Sequence, residues 1–126
     1  MTRTLAALFL LAHGFVHAAV WAAPGPREAQ APFDPRHSWL LAAVHVAADP
    51  ARTTALGLAW AATGLYALAA LLLVAGAGVW APAAAAAALV AALLKVTFFN
   101  TWLTLGVLLD VAVLTAVAAA WPPSLF

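Results

Sequence analysis

Four side chains carry the chemistry open to this sequence: His13, His17, Lys95 and Asp110. Each lies inside an apolar run of helical length, and a polar group in hydrocarbon costs several kcal/mol unless it finds a partner. At a rise of about 1.5 Å per residue, His13 lies about 15 Å and His17 about 9 Å from the end of their run. By the same rise Lys95 and Asp110 lie about 7 Å and about 15 Å from a tight turn at Asn100. If successive runs alternate in direction, all four groups fall in one half of a bundle. Cα–Cβ bonds tilt toward the helix N-terminus, which aims Lys95 away from the turn and Asp110 back toward it. The two side chains therefore incline toward each other, and an ion pair is the least costly way to hold both at depth.

His13 and His17 stand at i, i+4 and share one helix face, as a helical metal pair would. Two ligands do not complete a zinc site, and the glutamate of an HExxH motif is absent. His37 and His45 in the first loop could complete a ligand set, although nothing in the spacing fixes their geometry. Three readings stand side by side for the His pair: hydrogen bonds across the bundle or to Asp110, proton or substrate handling, and metal or haem ligation. No metal and no catalytic residue is assigned, and no cofactor is expected, with quinone, lipid and metal left open. For Lys95 and Asp110 the readings are a pair that sets helix register, and a proton site or grip on a polar head group. Tyr66, the lone tyrosine, reads as a packing residue with a satisfied hydroxyl.

The elements that must position these groups follow from composition. The chain has 126 residues, of which 67% are hydrophobic and 7% charged, and it has no cysteine. Soluble domains carry about 25% charge, so the polar surface for a water-exposed globule is missing. Disulfides, thiolate zinc and thiol catalysis are excluded. A net charge of +1 offers no basic stripe for nucleic acid. Spans of about 20 apolar residues are expected at about 4–23, 53–75, 81–99 and 102–121. The first is stopped by Pro24-Gly25-Pro26, the second by Gly76-Ala77-Gly78, and the third opens at Ala81-Pro82. Asn100 caps the turn into the fourth, which ends at Pro122-Pro123. The first loop, 24–52, holds a short apolar stretch, 38–48, of half a span, which predicts an interfacial helix capped by Ser38. Phe33, His37, Trp39 and His45 in that loop could lid the polar half of the bundle or simply anchor it at the interface. Five of the six tryptophans, Trp21, Trp39, Trp80, Trp102 and Trp121, fall at span ends or in this loop, as an interfacial belt would.

Helical angles add facing. On the third span Ala84, Ala88, Ala91 and Ala92 lie within roughly 60° of Lys95, so this small-residue face should point inward with Leu89, Val90, Leu93 and Val96 toward lipid. On the second span Gly57, Ala61 and Gly64 form a similar stripe for close packing. Residues 1–23 also have the form of a signal peptide, with Arg3 before the apolar run, although His13, Gly14 and His17 interrupt its core; a retained helix is the favoured reading. Loop charges do not settle orientation.

The segment Leu11-Ala12-His13-Gly14-Phe15-Val16-His17, with Arg3 before it and four spans in this length, resembles the DoxX-like small membrane proteins. That resemblance implies a four-span antiparallel bundle and an accessory role beside membrane redox or detoxification proteins, with no catalytic residues to carry over. A four-span isomerase of the emopamil-binding type is a more distant likeness. The expected protein is thus all-α: an integral membrane antiparallel four-helix bundle with a short interfacial helix after the first span, in a bacterial cytoplasmic membrane. Its expected function is accessory or interaction, with the buried His/Lys/Asp cluster binding a small amphiphile or lipid. The alternative is a membrane-embedded enzyme or proton-coupled carrier using the same cluster. Expected partners are the bilayer, another membrane protein or a second copy.

Overall fold

The computed structural model describes residues 1–22 and 34–126. Five α-helices form: α1 (Thr2–Trp21), α2 (Trp39–Ala43), α3 (Ala48–Val74), α4 (Trp80–Thr97) and α5 (Thr104–Ala118). Two 3₁₀ turns, Thr101–Leu103 and Pro123–Leu125, precede and follow α5. Four segments, α1, α3, α4 and Thr101–Ala118, are long and apolar enough to cross a membrane. The chain is a helical bundle with no strand among the described residues.

Helix ends follow from backbone chemistry. α3 stops at Gly76, whose φ of 72° is free of the Cβ penalty. Its N–H bonds the Leu73 carbonyl while that of Ala77 bonds Leu72, the paired closure of a Schellman ending. α2 closes in the same way with a histidine in the glycine's place. His45 takes φ 60°, its N–H meets Ala42 O, and Val46 N–H meets Leu41 O. The expected half-span over 38–48 is therefore corrected to a single short helix ending at Ala43. α3 starts at Ala48, with the polar-then-proline sequence Asp49-Pro50 in its first turn ahead of the apolar span expected from Thr53. Before α5, the Asn100 side chain accepts the Trp102 N–H at 2.9 Å, as a cap of the turn should.

α1 packs on α3, α3 on α4, and α4 on α5; among the described residues α1 and α5 share no comparable interface. The contact faces are small. α3 buries Ala51, Ala55, Ala59, Ala62, Ala69 and Ala70, and α4 buries Ala84, Ala87, Ala88 and Ala91. Alanine, with its single methyl, lets the helix backbones approach closely. The α4 facing is as expected for Leu89, Leu93 and Val96, each at least half exposed, and is corrected for Val90, which packs against the core cluster. The α3 facing is corrected. Gly57, Ala61 and Gly64 are exposed, and a Cβ on either glycine would meet nothing within 4 Å. The close approach is instead at Gly14 of α1, where a Cβ would fall 2.7 Å from Tyr66 Cβ.

The tryptophans at the helix ends and in the first loop differ in exposure. Trp39, Trp102 and Trp121 are more than half exposed. Trp21 is buried against Phe98, their rings 5.6 Å apart, and Trp80 is buried under Phe126, which the last 3₁₀ turn folds back at 4.9 Å. Two apolar clusters result. One gathers Trp21, Ala55, Ala59, Leu94, Phe98 and Leu103; the other gathers Leu10, Tyr66, Ala70, Ala88, Ala91 and Val113. On α1, His13 and His17 fall in sequence between members of the two clusters, and on α5 so does Asp110.

Candidate functional site

Asp110 is fully buried and anchors the polar cluster. Its Oδ2 accepts from Lys95 Nζ at 2.6 Å. Its Oδ1 takes two donors, His13 Nε2 at 2.8 Å and the Tyr66 hydroxyl at 3.0 Å. Helices α1, α3 and α4 each contribute one partner, so a single carboxylate on α5 ties the four together. Charge-assisted bonds of this kind are short and strong, and all lone pairs that the carboxylate needs to spend are spent inside the protein.

Hydrogen-bond logic sets the histidine tautomers. His17 Nδ1 lies 2.9 Å from the His13 carbonyl, which can only accept, so Nδ1 carries the proton. In the neutral ring Nε2 is then an acceptor, and it takes a second Lys95 N–H at 2.8 Å. His13 donates through Nε2 to Asp110, which leaves its Nδ1 as a lone pair when the ring is neutral. His13, His17 and Tyr66 rings pack edge-on or stacked at 5.0–5.8 Å, and Phe9 stacks on His13. These contacts hold the imidazoles in place from both sides.

His13, His17 and Asp110 present ligand atoms within 4.8 Å of one another, a spacing on the scale of a metal site. The Lys95 ammonium, however, bonds both His17 and Asp110. It is the cation these groups hold, and a metal would have to displace it. The lysine stem reaches this point because residue 106 is glycine; a Cβ there would sit 2.7 Å from Lys95 Cε.

The sequence expectation that Lys95 and Asp110 incline toward each other, with both imidazoles nearby, describes the observed geometry. Tyr66 goes further than a satisfied packing residue, because its hydroxyl is satisfied by Asp110 itself. Gly14, Gly106 and Thr63 were not singled out as site residues. The Thr63 hydroxyl bonds the carbonyls of Gly14 and Ala59, fastening α1 to α3 beside the cluster. A glycine one residue from a buried histidine was the available signal for such a close contact.

The first-loop residues are elsewhere. Phe33 lies outside the described residues. No hydrogen bond joins His37, Trp39 or His45 to the cluster. His37 is exposed with Asp34 3.6 Å away, and His45 serves as the helix end described above. Trp39 Nε1 donates to Val96 O at 2.7 Å and the Ser38 hydroxyl to Thr97 O at 2.6 Å, so this segment closes the carbonyl end of α4. Ser38 also accepts the Leu41 N–H and caps α2 as expected. His37 and Trp39 border a separate depression with Arg36 and Phe99. This geometry is that of an anchor, and a lid formed by His37, Trp39 and His45 over the cluster is corrected.

What does open onto the cluster is a cleft of about 460 Å³ between α1 and α5. His13, His17 and Lys95 form its polar floor, Val16, Leu105 and Leu109 are among its apolar walls, and Trp21 and Trp102 stand at the turn end. Its size is within the range of small-ligand sites, and the mostly apolar wall with a few convergent polar groups is their usual make-up. No family model, curated protein or solved structure matches this chain. The class is therefore defined by its own features: a bundle of four span-length helices around one buried ionic network.

Proposed function

We propose that this chain is an integral membrane protein, an antiparallel four-helix bundle, that binds a small single-chain amphiphile or lipid between α1 and α5. The role is accessory rather than enzymatic, in line with the resemblance to DoxX-like proteins. One observation carries the reading: apart from the indoles of Trp21 and Trp102, the polar side chains lining the α1–α5 cleft are His13, His17 and Lys95 of the ionic network. A pair that merely set helix register would be served as well by α5 packed against α1. Here the two helices stand apart, and the floor between them carries an ammonium. An acyl chain could enter sideways from the bilayer, along the apolar walls, with its head at Lys95.

The second reading, a proton-coupled carrier or embedded enzyme, is favoured by the unbroken line of hydrogen bonds from Tyr66 through Asp110 and Lys95 to His17. Such a line can shift protons among its members. Native mass spectrometry from mild detergent distinguishes these. The expected result is a lipid-sized adduct on the wild type that is missing from the Lys95→Met, Asp110→Asn double variant, with both proteins folded. A bare wild-type chain under conditions that preserve bound lipid on other membrane proteins overturns the binding reading. An adduct that persists in the double variant places the amphiphile away from the cluster.

A further inference from the structure

The hydrogen-bond inventory of the cleft floor goes one step beyond amphiphile binding and names the head group; it rests on the reading of the cleft just given. Lys95 has three N–H donors, of which two go to His17 and Asp110. The third has no partner among the described residues. His13 spends Nε2 on Asp110, and its Nδ1 makes no hydrogen bond to a described residue. Every other polar atom of the network is engaged: Asp110 through both oxygens, His17 through both nitrogens, Tyr66 through its hydroxyl. Both unspent atoms belong to residues that line the cleft. One donor and one acceptor remain, which is the complement of a carboxylic acid, C=O to Lys95 and O–H to His13.

Charge selects the same head group. Lys95 and Asp110 cancel, and the neutral imidazoles and phenol add nothing, so the network sums to zero. A bare anion entering would leave an uncompensated charge in a poorly hydrated place, next to Asp110. An anion that arrives with a proton does not. We propose that the cleft binds a long-chain carboxylic acid together with one proton, the carboxylate lying on Lys95 Nζ and the proton on His13 Nδ1. The bookkeeping balances: a carboxylate and a proton from water join a neutral network, giving two cations, Lys95 and His13, and two anions, Asp110 and the ligand. His13 in its charged form keeps its Nε2–H bond to Asp110, so no existing contact is broken. The titratable groups around His13 are His17 from its own helix, Tyr66 from α3, Lys95 from α4 and Asp110 from α5. Of these only Asp110 is an anion, and it favours the added proton. A phosphate-monoester head group brings more charge and three terminal acceptor oxygens to a site with one free donor, and fits less well.

The test uses full-length protein in lipid nanodiscs. Trp21 and Trp102 line the cleft, so 9,10-dibromostearic acid bound there quenches tryptophan fluorescence, and unbrominated stearic acid reverses the quenching. The expected result is saturable quenching by the acid, and at least tenfold weaker quenching by its methyl ester. Calorimetry in two buffers of different ionisation heat should show one proton taken up per acid bound, where the free acid is ionised. In that range affinity should fall by about tenfold per pH unit, as one linked proton requires. His13→Gln keeps an N–H donor for Asp110 but cannot take the proton; it should abolish the uptake and the pH slope. If that variant fails to fold, proton uptake by the wild type still decides. Equal binding of acid and ester, or acid binding with no proton uptake, overturns the acid proposal and leaves the amphiphile site standing. Absence of saturable quenching by acid, ester and brominated phosphatidylcholine alike overturns both.

Discussion

Alanine faces join α1, α3 and α4, and α5 is attached differently. On α3 and α4 ten alanines are buried, and the helices approach each other along these faces. Of α5, Thr104–Ala118, only Asp110 and Val113 are buried. Its outer residues Leu105, Leu108 and Val111 are about half exposed or more. α5 thus packs along α4 and is tied to α1 and α3 by bonds from one carboxylate. Dispersion spread over many small residues makes a seam that tolerates little added volume but no single residue dominates it. A buried ionic contact concentrates the attachment in one place, where losing a partner strands a charge. The open α1–α5 side goes with this difference, because α5 packs along α4 and meets α1 through the Asp110–His13 bond.

The largest effect should come from Asp110→Ala, which leaves Lys95 charged and unpaired; a loss of about 3–5 kcal/mol is expected. Unfolding by SDS titration from mild detergent measures it, and wild-type stability in that variant would break the contrast drawn here. Adding Lys95→Met to an Asp110→Asn background should recover most of the stability, since replacing both members of a buried pair is often near neutral. Gly14→Ala tests the alanine seam. Its methyl would press on Tyr66 Cβ, and an overpacking cost of about 1–3 kcal/mol is expected. Tyr66→Phe removes one of the three bonds to Asp110 and should cost about 1 kcal/mol in the same titration. Gly64→Ala, on the open face of α3, should change stability by less than about 0.5 kcal/mol. A cost for Gly64→Ala as large as that for Gly14→Ala would show that the seam runs along the other face.

Legibility in the sequence varied with the kind of question. The inward face of α4 was readable because Lys95 itself demands a buried partner and the alanines cluster within a fraction of a turn of it. On α3 the same small-residue argument chose Gly57, Ala61 and Gly64, and it failed. That helix is small on several faces, Ala51, Ala55, Ala59 and Ala62 being as suited to contact, and it carries no charge in mid-span to break the tie. Tyr66 was read as satisfied, but the acceptor could not be named, since its partner lies 44 positions away on a helix that does not follow α3 directly. His45 looked like a fourth imidazole for a ligand set. Its observed place at a helix end reflects a φ of 60° that no sequence period encodes, although histidine enters that region more readily than most residues.

By itself the sequence determined the four long apolar helices, since an apolar run of about 20 residues has few other ways to satisfy its backbone. It also pointed to a pair between Lys95 and Asp110, because charges buried among apolar helices are costly alone. Only the tertiary structure decided which small face of α3 is buried, that Tyr66 and both imidazoles join the same carboxylate network, and that α1 and α5 stand apart over it. Those are distances between segments remote in the chain. Helical periodicity orders residues around one axis but carries no information about which neighbour that axis meets.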